Sequence, residues 1–201
     1  MQNTTPTTTT LLLSRLRDSR DEDAWRQFDT RFRGVILSTG TRLGLDRPDA
    51  EEVAQEVMLQ AFRDYMEGKY DRSKGRLSSW IVAIAHHRII DVLRKRRRRM
   101  TGGKFDEEGH SIQESEVADA FEQSLERQIF EQAWDMLREQ SKIDEKTLRA
   151  FELTSLRGVP PSEAAAQCQM SVNQVYVARS RVAKVLKETV EKLDRAVRNG
   201  L

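Results

Sequence analysis

Cys168 is the only cysteine in this 201-residue chain. No internal disulfide can form, which fits a reducing compartment. Apolar residues are also in short supply, at 38% against 33% charged. That balance is too polar for one large core and suits two small helical units. No apolar run is long enough to cross a bilayer, so no membrane partner is expected. The start, "MQNTTPTTTTLLLSRLRDSRDEDAW", lacks the basic n-region and apolar core of a secretion signal. The expectation is a cytoplasmic protein with a disordered leader over 1–10. No segment alternates with the period of a strand, and no repeat is present. Phosphate loops, dinucleotide glycine motifs and metal-ligand spacings are missing too. His86 and His87 are neighbours, so on a helix they point about a hundred degrees apart and would chelate one ion poorly. The chain therefore reads as a non-enzyme with no cofactor and no metal. A built-in C-terminal regulatory domain is not expected. An excess of one charge is absent as well: 34 Lys and Arg face 32 Asp and Glu, a net +2.

What is present is segregated. Positive charge is bunched at 94–99, "RKRRRR", and acids follow it. Upstream, Trp25, Phe28, Phe32 and Val35 to Leu37 recur at three- and four-residue steps, the period of a buried helical face. Gly44 ends that helix, and Asp46 to Asp49 carry the turn and cap of the next. Val53, Val57, Ala61, Phe62 and Tyr65 form its apolar face, with Glu51, Glu52, Gln55 and Glu56 opposite. After a loop containing Gly68 and Gly75, Ser78 or Ser79 is expected to cap a helix whose buried stripe is Trp80, Ile81, Ile84, Ile89, Val92 and Leu93. Residues 100–124 read as an acidic, flexible linker. Leu125, Ile129, Phe130, Ala133, Trp134 and Leu137 then open a second helical unit, and Gly158 stops the helix after that one. The expected fold is all-α, with a leader over 1–10, a first domain over 11–99, a linker over 100–124 and a second domain over 125–201.

Within the second domain, "PSEAAAQCQMSVNQVYVARSRVAKVL" has the layout of a helix-turn-helix. Ser162 is the expected first cap. Ala164, Ala165 and Cys168 face inward, Cys168 as a small hydrophobe. Met170 plugs the turn and Ser171 caps the second helix, with Val175 and Ala178 inward. That leaves Asn173, Gln174, Tyr176, Val177, Arg179, Ser180, Arg181 and Lys184 outward. The second helix of such a pair enters the major groove. Asn and Gln there can read adenine and Arg guanine, while Arg181 and Lys184 suit phosphates. The plain alternative is an ordinary pair of packed helices.

The basic run alone is a weak signal, because most such runs are solvated. A membrane reading needs an uncovered apolar face, and here the preceding helices can cover it. Trp80, His86, His87, Arg88, Arg94 and Lys95 share one continuous helix with the run. Basic groups along a helix can track phosphates, and nearby rings can stack on unpaired bases.

At this point the chain resembles the bacterial extracytoplasmic-function (ECF) sigma factors, the short sigma subunits of RNA polymerase. "DAEEVAQEVMLQAF" resembles their polymerase-binding helix. "YDRSKGRLSSWIVAIAHHRIIDVLRKRRRR" resembles their minus-ten melting segment through Asp71, Gly75, Trp80, Ile84, Ala85 and Asp91, with Leu77 where Phe is usual and His87 where Asn is usual. The helix-turn-helix resembles their minus-thirty-five reader, with Gln169 in the turn. The resemblance covers residues 20 to 195.

It implies that 11–99 is region two and 125–201 region four. Asp49, Glu52, Gln55, Glu56 and Leu59 would dock on the clamp helices of the largest polymerase subunit, an acidic-polar face on a basic coiled coil. Region four would meet the flap of the second-largest subunit. The loop from Tyr70 to Ser79, with Arg76, Ser78, Ser79 and Trp80, would capture a flipped minus-ten base. His86, His87, Arg88, Arg94, Lys95, Arg96 and Arg97 would hold the opened strand. Ser171, Asn173, Gln174, Tyr176, Val177, Arg179, Ser180, Arg181 and Lys184 would bind the minus-thirty-five duplex. The acidic linker would run through the polymerase cleft toward the RNA exit. The resemblance leaves room for an anti-sigma protein as a further partner. The rival functions are a stand-alone helix-turn-helix regulator that works without polymerase, and an anti-sigma antagonist or adaptor.

Overall fold

A computed structural model describes residues 9–100 and 112–198. The expected leader lies outside the described residues up to residue 8, as does the stretch 101–111. Every regular element among the described residues is helical. The described chain forms two compact units. The first takes the residues up to Gln128 together with those from Arg195 onward, and the second runs Ile129–Asp194.

The first unit opens with α1 (Thr9–Arg15), whose Leu12 and Leu13 are buried, as is Leu16 just after it. Arg15 makes a two-pronged ion pair with Asp21, at 2.7 and 2.8 Å. Asp21 is also the N-cap of α2 (Glu22–Arg42), accepting from the Ala24 N–H at 3.0 Å. These bonds, the one from Arg15 first, hold the Asp21 carboxyl below its ordinary pKa. Along α2 the expected stripe is buried: Phe28, Phe32, Val35 and Ile36 lose nearly all their surface. Leu43 closes α2 and Gly44 follows at φ +93°, a left-handed turn that favours glycine. The chain then reverses into α3 (Arg47–Met66), whose N-cap Asp46 accepts from the Asp49 N–H at 3.0 Å. Gly40 permits this tight return, since a Cβ there would sit 3.1 Å from Leu45 and 3.5 Å from Ala50.

Aromatic rings join α2 to α3 and continue beyond it. Trp25 packs edge-on against Phe62 at 4.4 Å and Tyr65 at 6.1 Å. Tyr65 stacks on Tyr70 in the following loop, and Tyr70 lies 5.1 Å from Trp80. Trp80 is in the first turn of α4 (Leu77–Met100). This helix buries Leu77, Ile81, Ala85 and Ile89, a strict four-residue stripe, and packs along α3. Its basic end is helical through Met100, as the reading of one continuous helix expected.

α5 (Glu114–Gln140) starts inside the span expected to be linker. Glu114 and Glu116 occupy its first turn, where negative charge favours a helix N-terminus. Val117, Phe121 and Leu125 are buried at four-residue steps. In the first unit this half of α5 touches α2: the Gln128 amide donates to the Arg31 carbonyl at 2.8 Å, and Arg42 donates to Gln123 at 3.0 Å. A Cβ on Gly34 would lie 2.8 Å from Gln128 Oε1.

The second unit contains α6 (Glu145–Phe151), capped by Asp144, which accepts from the Thr147 N–H at 2.9 Å. One π-helical turn (Glu152–Leu156) continues it, and Gly158 at φ +70° ends it. α7 (Pro161–Cys168) comes next. Its N-cap is Pro160, with no side-chain cap bond. Ser162, the expected cap, therefore falls in the first turn: Pro161 already has the φ of a first helical residue, so the helix starts before the serine. Gln169 follows in the left-handed region at φ 55°, and α8 (Val172–Arg198) begins after Ser171. Ala150, Leu153, Ala164, Ala165, Cys168, Val175 and Ala178 form the core, and Val159 and Met170 close its edge.

Ser171 and Gln174 form a reciprocal cap: the Gln174 N–H donates to Ser171 Oγ at 3.2 Å and the Ser171 N–H to Gln174 Oε1 at 2.7 Å. Ser171→Ala should cost about 1 kcal/mol of stability. Thermal unfolding would check this, and an unchanged melting temperature would mean the cap carries no weight.

Candidate nucleic-acid and protein interface

Three exposed faces hold the residues singled out from sequence. The first is on α3. Glu52, Gln55 and Leu59 are exposed, Leu59 by 48%, and Asp49 and Glu56 are half-buried. Their three- and four-residue steps put them on one side of the helix. Met66, 40% exposed, extends the same row. The result is an acidic, hydrogen-bonding strip that ends in uncovered apolar side chains. Such a strip suits a basic partner surface with an apolar patch.

The second face is the 67–76 loop with the outer side of α4. Asp71 shapes the loop, accepting from the Ser73 N–H at 2.9 Å and its hydroxyl at 2.7 Å. Both bonds come from Ser73 and hold the Asp71 carboxyl below its ordinary pKa. Arg76 and Ser79 are exposed and Trp80 is half-buried. Ser78 is buried, at 8% exposure, in the first turn of α4. Neither serine is the cap: the Trp80 N–H donates to the Arg76 carbonyl at 3.1 Å, so the helix has already begun. His86 and His87 lie with ring centroids 5.4 Å apart, His87 the more exposed.

The cations of α4 differ in their surroundings. Arg94 and Lys95 are exposed and have no ion-pair partner among the described residues. Arg88 lies 3.6 Å from Glu56 and donates to Gln60 at 3.5 Å. Arg96 lies 3.7 Å from Asp46 and donates to the Gly44 carbonyl at 3.2 Å. The Arg97 side chain lies outside what the structure describes.

The third face is the outer side of α8 in the second unit. Asn173, Gln174, Ser180, Arg181 and Lys184 are exposed and Arg179 is half-buried. Tyr176 and Val177 stand out at 52% and 61% exposure, with Val172 at 42%. Polar, cationic and apolar groups thus project together from the first turns of one long helix.

The α2–α4 part of the first unit has known counterparts. Residues 28–99 match the family model for Sigma-70 region 2. This segment is similar to a sigma-70 region 2. It is similar to ECF RNA polymerase sigma factors: SigK of Mycobacterium sp. (strain KMS), 33% identical over 75 residues, and RpoE of Cereibacter sphaeroides, 34% identical over 86. The SigK match covers 37% of this chain and 38% of the relative, and the RpoE match 43% and 46%. SigK of Mycolicibacterium vanbaalenii, 35% identical, covers 37% of each. The chain thus spans less than half the length of the curated relatives it matches.

Within region 2, sequence reasoning missed three residues. Asp46 was read as a cap, but its second oxygen faces Arg96. Gln60 was assigned nothing, yet it holds Arg88 and donates to Asp64 at 2.9 Å. Tyr70 was placed in the loop, but its packing between Tyr65 and Trp80 was not foreseen. Only the aromatic spacing around Tyr65, Tyr70 and Trp80 carried a signal. The other two pairings join helices and leave no local pattern.

No helix among the described residues is long and apolar enough to cross a membrane.

Proposed function

We propose that this chain is an ECF-type sigma factor that brings core RNA polymerase to promoters. It catalyses nothing itself; the polymerase makes the RNA. The observation that supports this most is the region 2 match over α2, α3 and α4, the helices that present the acidic strip and the basic helix. The strip from Asp49 to Leu59 docks on the clamp helices of the largest polymerase subunit. The loop ahead of α4 takes an extruded minus-ten base, and Arg76, His86, His87, Arg88, Arg94, Lys95, Arg96 and Arg97 hold the opened strand. Trp80, already packed at a tilt against Tyr70, forms the floor of that loop.

In the same reading α7, the Gln169 turn and α8 are a helix-turn-helix that reads the minus-thirty-five duplex and meets the polymerase flap. Gln174 has its Oε1 held by the Ser171 N–H, so turning its amide to a two-pronged adenine contact would give up this cap. Asn173 carries that role, and Val177 offers a methyl surface to thymine. Arg181 and Lys184 take phosphates. Three exposed faces on one chain also suit capture by an anti-sigma protein.

The test is run-off transcription with bacterial core polymerase on a promoter library. Initiation at promoters sharing two spaced elements supports the proposal. Tight duplex binding without core polymerase and no transcript would instead make this a stand-alone regulator. Replacing Gln55 and Glu56 by alanine together should weaken core polymerase capture by about ten-fold or more, the loss of two polar contacts at roughly 1 kcal/mol each. Unchanged capture in a pull-down would remove α3 as the docking face.

A further inference from the structure

The acidic strip and the basic helix are joined where they were expected to act separately. Two ion pairs from α4 to α3 and its N-cap link a strand-binding arginine to an acid on or beside the docking strip: Arg88 to Glu56, and Arg96 to Asp46, one turn before Asp49. All four side chains are more than a third exposed. The contacts are long for ion pairs and are readily exchanged for another partner. We propose that in the free protein the acids of α3 hold Arg88 and Arg96 away from DNA, and that core polymerase, by taking those acids, releases both arginines to the promoter strand.

This inference rests on the docking and strand-binding roles proposed above. The physics is competition for charge. A carboxylate facing a cationic polymerase helix has less attraction left for a guanidinium at its side. A guanidinium without its carboxylate gains affinity for phosphate. Arg94 and Lys95, unpaired among the described residues, supply a first, unregulated hold on DNA. Arg88 and Arg96 add to it only after docking. Because binding free energies are reciprocal, opened DNA must strengthen polymerase docking by the same factor.

A double-mutant cycle on the full chain without polymerase tests this, using a fluorescent single-stranded oligonucleotide at fixed low salt. Glu56→Gln should tighten oligonucleotide binding by about two- to five-fold, the scale of one exposed ion pair. The gain should vanish when Arg88→Ala is also present. Asp46→Asn keeps a good N-cap while removing the charge, and should give a similar gain that depends on Arg96. Glu52→Gln removes an equal charge from the same strip without touching either arginine, and should give a smaller gain. Equal gains from Glu52→Gln and Glu56→Gln, or a gain that survives Arg88→Ala, would overturn the proposal and leave only general repulsion of DNA. If adding Arg88→Ala to Glu56→Gln leaves the affinity of Glu56→Gln alone unchanged, the strand-binding role of Arg88 itself is overturned. That outcome is distinct from a failure of coupling, in which Arg88→Ala weakens binding but the cycle is additive.

Discussion

Phe28→Ala should remove about 3–5 kcal/mol of stability, the cost of emptying a sealed aromatic site in a packed core. Phe28 is 2% exposed and sits between Trp25, at 5.7 Å, and Phe32, at 5.1 Å. Trp25 in turn packs against Phe62 and Tyr65 of α3. The ring therefore supports the α2–α3 pairing on which the proposed docking strip is mounted. The loss compares with a typical total of about 5–15 kcal/mol for a domain. A fall in melting temperature on the order of 15 °C is expected in calorimetry, and polymerase capture should fall with it. Phe28→Leu keeps most of the volume and should cost less than half as much. A cost below about 1 kcal/mol for the alanine variant would mean that the site collapses freely and that the aromatic chain does not hold α2 to α3.

The same ring shows which parts of the fold could be read from sequence. Phe28 and Phe32 announce themselves by helical period, because a buried stripe repeats locally in the chain. Caps are legible for the same reason: Asp46 and Ser171 bond to N–H groups three residues on. Ser162 misled because two prolines before it set the helix start, and the local rule for Pro161 outranks the one for serine. The span 114–124 misled because its acids look like those of a solvated linker. At a helix N-terminus acids are stabilising, and Val117 and Phe121 there are buried.

The candidate site divides along the same line. The exposed rows on α3 and α8 follow from period alone. The holds on Arg88 and Arg96 do not, because each needs two helices brought side by side. Ser78 is a further case: a serine in a loop motif looks available, but the four-residue stripe from Leu77 to Ile89 turns its side of the first turn toward the core.

Replacing Arg94 and Lys95 together by alanine should produce the largest loss of DNA binding from any pair on α4. Both are exposed with no ion-pair partner among the described residues, so neither has an internal contact to give up before it meets phosphate. Each phosphate neutralised on a single strand contributes a slope of about −0.7 to the dependence of log affinity on log salt. Removing two should make the measured slope shallower by about 1.4. The loss should be deepest at low salt and should shrink as salt screens what remains. Arg88→Ala, by contrast, should barely change the slope without polymerase, because its charge is already partly met by Glu56. Titrating a labelled single strand at several salt concentrations gives both slopes from one experiment. An unchanged slope in the Arg94 and Lys95 variant would mean that the basic end of α4 is a solvated tail, and strand binding would then have to be assigned to the loop and the histidines alone.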